Sequence, residues 1–227
     1  MVCIIIKKRV KVYPDMIGIV DYKAGNLTSV ARALEFLSVP CRVTDDPDLL
    51  GKCDRIIFPG VGAAGEAMAN LKQTGMDRRI SEWVARGIPT LGICLGTQII
   101  LDRSEENDAD CLGIIPGSVK RFPDQMTGTD KKPLKIPHMG WNQVAFSRSH
   151  PVFRDIPAEA EFYFVHSYYP APAEDRFAIG WTDYGIRFCS AMADKNLVAV
   201  QFHPEKSGRP GLRILANFCR WEGDDAQ

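Results

Sequence analysis

The sequence lacks a charge excess. Its 28 Lys and Arg balance 28 Asp and Glu, for a formal net charge of +0. Nucleic acid or an anionic membrane as partner would call for a basic surplus, so neither is expected, although a local partner-binding patch is still permitted. No apolar run is long enough to span a bilayer. There is no C-x-x-C pair, and the seven cysteines are an odd number. That disfavours a secreted disulfide framework and suits a reducing, cytoplasmic setting. Cys3, Cys41, Cys53, Cys111, Cys189 and Cys219 are expected to be scattered buried thiols. The phosphate-loop patterns are missing, since neither G-x-x-x-x-G-K-[ST] nor a G-x-G-x-x-G that opens a helix occurs. Metal-ligand spacing is missing too, so no metal is expected. Internal repeats, linkers and low-complexity tracts are also absent.

What remains is an ordinary globular composition over 227 residues, 45% hydrophobic and 25% charged. Ile17 to Val20 has the composition of a buried strand, and Asp21 to Asn26 that of a turn and helix cap. Leu27, Val30, Ala31, Leu34 and Leu37 follow at helical spacing, Pro40 stops that helix, and Cys41 to Thr44 is a second strand. Strand, helix, strand in this order predicts a right-handed parallel crossover. Arg55 to Phe58 is a third strand, and it runs into Pro59-Gly60-Val61-Gly62. Helices are expected near Gly65 to Gln73 and Asp77 to Arg86, then a strand over Pro89 to Ile93 and a helix over Leu95 to Leu101.

Beyond Leu101 the pattern changes. Ser104 to Asp110 is a charged stretch, expected to be a solvated loop, and Pro123 to Pro133 is polar and expected to be mobile. Short strands are expected at Ile114 to Phe122, Trp141 to Phe146, Glu161 to Val165, Phe177 to Trp181, Phe188 to Met192 and Val198 to Phe202. A last amphipathic helix spans Pro210 to Trp221. The fold class is therefore α/β: an open sheet, mostly parallel and then mixed, flanked by helices. Residues 16–227 form a single domain. Residues 1–15 form an extension whose apolar run precedes its basic residues, the reverse of a secretory signal.

Chemistry concentrates around Gly92-Ile93-Cys94-Leu95-Gly96-Thr97-Gln98. Cys94 stands where a strand turns into a helix, between glycines that let the backbone bend and a substrate approach. Helix-start N–H groups favour a thiolate and can serve an oxyanion. The same spacing also suits a buried cysteine in a tight turn. A cysteine nucleophile needs a base, and there are four histidines. His150 falls in a turn, while His138 and His166 adjoin apolar or aromatic residues. His203 ends an apolar strand, Pro204 forces a turn, and Glu205 can fold back onto the ring and orient it. Beside the Cys94 turn, His203 becomes the candidate base.

Gly92-Ile93-Cys94-Leu95-Gly96 with Gln98, and Gln201-Phe202-His203-Pro204-Glu205, resemble the signature of the class I glutamine amidotransferases, whose fold is flavodoxin-like. Asp21 to Asn26, Pro137-His138-Met139-Gly140-Trp141-Asn142, His166-Ser167-Tyr168 and His203-Pro204-Glu205-Lys206-Ser207 narrow the resemblance to glutaminase subunits of imidazole glycerol phosphate synthases in histidine biosynthesis. The resemblance runs from Met16 to about Trp221. One departure is Thr97, which stands where methionine is expected. The resemblance implies hydrolysis of L-glutamine to glutamate and ammonia, without metal or cofactor, by Cys94, His203 and Glu205. It implies an oxyanion site from Gly60, Val61, Gly62 and Leu95, and glutamine binding by Gly62, Gln98, Glu106, His166, Ser167 and Tyr168. It also implies a (β/α)8-barrel synthase partner that takes the ammonia to form imidazole glycerol phosphate and an aminoimidazole carboxamide ribotide. Met139, Trp141, Asn142, Tyr163 and Lys206 are the candidate interface residues. The alternatives are a glutaminase subunit serving another synthase, a stand-alone γ-glutamyl hydrolase and a non-catalytic regulatory subunit.

Overall fold

The computed structural model describes residues 16–23, 25–128 and 131–223. The extension over residues 1–15 lies outside them. The first half alternates strands β1 (Ile17–Val20), β2 (Cys41–Thr44), β3 (Arg55–Gly60) and β4 (Thr90–Cys94) with helices α1 (Leu27–Phe36), α2 (Pro47–Leu50), α3 (Ala64–Thr74) and α4 (Met76–Ala85). After Cys94 come α5 (Leu95–Gln98), β5 (Arg103–Ser104), β6 (Ala109–Asp110), β7 (Gly117–Arg121), β8 (His138–Gln143) and β9 (Ala145–Phe146). The chain ends with β10 (Glu161–His166), β11 (Tyr168–Pro172), β12 (Ala178–Tyr184), β13 (Ile186–Asp194), β14 (Leu197–Val200) and α6 (Gly208–Phe218).

The main sheet has the order β2-β1-β3-β4-β14-β13-β12-β9. Its first five strands are parallel and the last three run antiparallel, the mixed sheet expected from the sequence. Period-2 alternation divides its apolar residues between two faces. Ile17, Ile19, Ile57, Leu91, Ile93, Val198 and Val200 pack under α1 and α6, with Ile214, Leu215 and Phe218. Val20, Ile56, Phe58, Leu197 and Ala199 pack on the other face under α3 and α4, with Leu71, Ile80 and Trp83. Burial on both faces explains why these strands are continuous apolar runs.

Several expectations are corrected. The helix after Cys94 ends at Gln98 rather than Leu101, because the carbonyls of Ile99, Ile100 and Leu101 accept N–H groups of the returning segment at Leu112 to Ile115. That pairing also delays the next strand to Gly117. The run Trp141 to Phe146 divides at Val144: β8 pairs with β10 in a separate two-stranded sheet, while β9 joins the main sheet through β12. A further small sheet, β11-β7-β5-β6, takes in both ends of the charged stretch and a strand at Tyr168–Pro172 that periodicity does not reveal. In the polar segment after Pro123, Met126 is buried and Thr127 bridges to Pro133, while residues 129 and 130, on which part of the expected mobility falls, lie outside the described residues. Cys53 and Cys189 are buried, but Cys41, Cys111 and Cys219 are only half-buried, and Cys3 lies outside the described residues. No helix among the described residues is long and apolar enough to cross a membrane.

β3 and β4 bring Gly60 directly opposite Cys94. A Cβ on Gly96 would run into the main-chain carbonyl of Phe58 on β3, which cannot swing aside as a side chain can. Gly96→Ala should therefore lower stability by about 1–3 kcal/mol, read as a fall in the urea midpoint at unchanged slope. An unchanged midpoint would show that the β3–α5 contact is slack.

Candidate active site

Cys94 holds φ 54° and ψ −107°, a strained conformation for a residue with a side chain. Three contacts impose it. Gly96 lies on the Phe58 carbonyl, Gly60 lies on the Tyr22 hydroxyl, and buried Thr97 donates its hydroxyl to the Val200 carbonyl at 2.6 Å. Thr97 thus ties α5 to β14, a role that a methionine's thioether could not fill. The elbow places the thiol at the C-terminal edge of the parallel strands, the usual ligand edge of such sheets.

His203 follows β14 and is fully buried. Its N–H donates to the Tyr163 carbonyl at 2.9 Å, and its carbonyl accepts the Ser207 hydroxyl at 2.6 Å. Ser207 Oγ in turn accepts the Tyr163 N–H at 3.0 Å, so β10 clamps the turn that carries the ring. His203 Nδ1 donates to Glu205 Oε1 at 2.8 Å. The same oxygen accepts from Asn26 Nδ2. Asn26 was expected to cap α1, but its side chain makes no cap bond. It sits at φ 77° and reaches Glu205 instead. Asn26 and Ser207 are the site residues that sequence reasoning missed. Their signal lay inside the motifs Gly25-Asn26 and Lys206-Ser207, with nothing to show where the side chains would point.

The other ring nitrogen, Nε2, is buried and faces Cys94. Burial alone would pull the ring's pKa down. The Cys94 thiolate, by charge and contact, and the Glu205 carboxylate outweigh burial and push it up to about 10. A cysteine facing a histidine whose other nitrogen is held by a carboxylate is the geometry that a cysteine nucleophile and its base require. The other described cysteines are held up chiefly by burial: Cys111 and Cys219 at about 11, Cys189 at about 12, with Cys41 and Cys53 also raised.

Beside Cys94 opens a cavity of about 290 Å³. Its walls include Gly62, Leu95, Gln98, Glu106, His166, Ser167 and Tyr168, so the expected glutamine-binding residues are brought together, with Val61 and Pro137 beside them. Clefts of about 610 and 640 Å³ elsewhere contain no cysteine. Gly62 has φ +111° and faces open space. Glu106 Oε2 accepts the Ala64 N–H at 2.8 Å at the start of α3, and burial raises its carboxyl despite that bond. Gln98 Nε2 donates to the Tyr168 carbonyl at 2.8 Å and to Gln201 Oε1 at 3.0 Å. Gln201 Nε2 in turn points at Cys94 Sγ at 3.7 Å. His166 borders the cavity, but its nitrogens meet protein partners: Nδ1 the Tyr168 carbonyl at 2.8 Å, Nε2 the His138 ring at 3.0 Å.

Of the candidate interface residues, Met139 and Trp141 are 62% and 54% exposed on β8. Trp141 packs edge-on against Tyr163, ring centroids 6.1 Å apart, and Lys206 is exposed. Asn142 differs from them. It is half-buried and turns its amide inward to the Asp183 carbonyl and to His138.

The charge state of His203 is directly measurable. A ring held at about 10 stays protonated across neutral pH, so its NMR shifts should not titrate between about pH 6 and 9. Cys94→Ala removes the thiolate and leaves burial opposed only by Glu205, so the midpoint should drop. A native midpoint near the ordinary value of about 6.5 would rule out the ion pair.

The family described as Glutamine amidotransferase class-I matches residues 19–221. Among curated proteins, the chain is 53% identical over 214 residues to the imidazole glycerol phosphate synthase subunit HisH of Nitratidesulfovibrio vulgaris strain DP4, covering 93% of this chain and 100% of that protein. It is 53% identical to the subunit of the same name from Maridesulfovibrio salexigens, over 91% of this chain and 97% of the relative. Solved structures include a glutamine amidotransferase from Thermotoga maritima, with a TM-score of 0.60 at 17% identity, covering 90% of this chain and 82% of that one. PurLQS from Thermotoga maritima gives 0.70 at 15% identity, covering 92% and 99%. These structural likenesses support the fold alone. With the family match spanning nearly the whole chain and relatives at half identity over their full length, the chain belongs to the class I glutamine amidotransferases.

Proposed function

We propose that this chain is the glutaminase subunit of an imidazole glycerol phosphate synthase and works in the cytoplasm. The observation that carries the reading is the position of Cys94, with a buried His203–Glu205 pair on one side and a glutamine-sized cavity on the other. The full-length relation to HisH subunits supports the choice of pathway.

In this mechanism the Cys94 thiolate attacks the side-chain amide carbon of glutamine. The oxyanion is held by the backbone N–H of Leu95 and one from the loop Gly60-Val61-Gly62. A preorganised donor of this kind contributes about 3 kcal/mol to the transition state. His203 gives its Nε2 proton to the departing nitrogen as the C–N bond breaks, which leaves a γ-glutamyl thioester and ammonia. Water then attacks the thioester, His203 takes its proton, and glutamate and the thiolate are restored. Glu205, braced by Asn26, keeps Nδ1 protonated and the ring aimed at sulfur. Glu106 provides the counter-charge for the substrate ammonium, and Gln98 with the Ser167–Tyr168 backbone aligns the α-groups.

Ammonia is useful only if it reaches an acceptor. The proposed acceptor is a (β/α)8-barrel synthase that docks on Met139, Trp141, Tyr163 and Lys206. Tyr163 sits in this surface and also clamps His203 through its backbone, which joins docking to catalysis. The two glycines at Gly60 and Gly62 allow the loop to rest with its N–H turned from the oxyanion. On this reading the free chain binds glutamine but turns it over slowly.

A glutamine-like electrophile such as 6-diazo-5-oxo-L-norleucine should alkylate Cys94 ahead of the other six cysteines. Cys94→Ala should abolish glutamine hydrolysis yet leave ammonia-driven synthesis by the complex intact. Peptide mapping that finds another cysteine modified first would remove Cys94 from its role.

Glutaminase turnover should rise when the barrel synthase and its nucleotide substrate are added. The change corresponds to a coupling of about 1–3 kcal/mol, or more if several contacts act together. Lys206→Ala should weaken that activation more than it weakens glutamine binding. If the free chain already matches the liganded complex, the coupling is absent and a stand-alone hydrolase is favoured.

A further inference from the structure

β8 and β10 face each other with His138 opposite His166. Both rings are buried, and neither takes part in the mechanism above. Their hydrogen bonds admit one arrangement of protons. The Tyr168 carbonyl can only accept, so His166 Nδ1 carries the hydrogen at 2.8 Å. In a neutral ring Nε2 is then an acceptor, and the hydrogen in the 3.0 Å bond belongs to His138 Nδ1. That leaves His138 Nε2 as an acceptor facing Asn142 Nδ2 at 3.3 Å. The Asn142 amide is oriented independently: its Oδ1 accepts the Gln143 N–H at 2.8 Å and its Nδ2 donates to the Asp183 carbonyl at 3.0 Å. A proton added to either ring would set two donors against each other. Burial opposes that as well, pulling His138 down to about 4 and His166 down to about 3.

The chain of bonds does not stop at Tyr168. Its carbonyl also receives Gln98 Nε2, which bonds Gln201 Oε1, and Gln201 Nε2 faces Cys94 Sγ. We propose that Asn142, His138 and His166 are positioning residues for the reaction, a proton-ordered relay that holds the Tyr168 carbonyl and, through Gln98, sets the Gln201 amide against Cys94. Only the consequence for catalysis rests on the glutaminase reading; the proton order does not. The relay starts on the inner face of β8, whose outer face exposes Met139 and Trp141, so it begins directly beneath the proposed docking surface.

The proton order is tested on the full-length chain with ¹⁵N-labelled histidine, using long-range ¹H–¹⁵N correlation at neutral pH. His138 and His166 should both be neutral Nδ1–H tautomers. An Nε2–H tautomer or a doubly protonated ring at either position overturns the relay. Its consequence is tested by saturable alkylation of Cys94 with 6-diazo-5-oxo-L-norleucine. His138→Asn keeps a donor where Nδ1 lies, whereas His138→Leu keeps apolar contact with Phe164 and Tyr184 and loses the donor. Leu should reduce labelling efficiency about tenfold, the size of one lost hydrogen bond, while Asn stays within about threefold of the native chain. Thermal stability should rank the two variants the other way, because Leu is the better core residue. If Leu labels as fast as Asn or faster, His138 is only packing and the proposal fails. No labelling of the unsubstituted chain would instead sink the glutaminase reading, and that result is distinct from either variant's behaviour.

Discussion

The site depends on one crowded contact, where β4 turns into α5 against the end of β3. Gly96 rests on the Phe58 carbonyl, Gly60 on the Tyr22 hydroxyl, and Cys94 is left in a backbone conformation that a residue with a side chain adopts only under constraint. The parallel strands supply that constraint. β3 and β14 flank β4, both faces are buried, and Thr97 bonds across to β14, so the strain is held by surroundings that have no slack. A four-residue helix has little dipole to offer the thiol. His203 reaches Cys94 from the turn that follows β14, the neighbouring strand.

Three buried histidines show how environment sorts one residue type into opposite states. Burial disfavours the charged form of each. His203 is pushed up to about 10 because an anion meets it on either side, Cys94 and Glu205. Among the described residues His138 and His166 meet no carboxylate partner, and burial takes them down to about 4 and about 3. The first ring is thus suited to hold and deliver a proton. The other two are suited to keep their protons fixed. Both arrangements lie along β10: its Tyr163 backbone clamps His203, and its last residue is His166.

The large sheet carries Cys94 and His203, while the small sheets wall the cavity and present Met139 and Trp141 outward. β8 and β10 pair with each other, and β10 sends Phe162 and Phe164 into the core. Their alternation places inward groups such as His138, Phe164 and His166 opposite outward ones such as Met139, Trp141 and Tyr163. The inner face of this two-stranded sheet packs on the core, its outer face exposes Met139 and Trp141, and the end of β10 at Val165 and His166 borders the cavity.

The sequence by itself determined the α/β class and the order of the parallel strands' elements, and its motifs singled out Cys94, His203 and Glu205 as the candidate reactive set. Buried strands are continuous apolar runs, and the glycines around Cys94 mark a tight turn, whose cysteine the resemblance to a family, not spacing alone, made a candidate nucleophile. What it did not contain was direction. Asn26 stood at a helix-cap position, yet it sits in the αL region and its amide reaches Glu205 instead of the helix start. Asn142 sits on the exposed strand, yet its amide points inward to His138. The helix after Cys94 stops at Gln98 because a segment more than ten residues later takes its carbonyls. Residues far apart in sequence, such as Gln98, Tyr168 and Gln201, meet only when several strands pack, and long-range hydrogen bonds of that kind leave no local period to read.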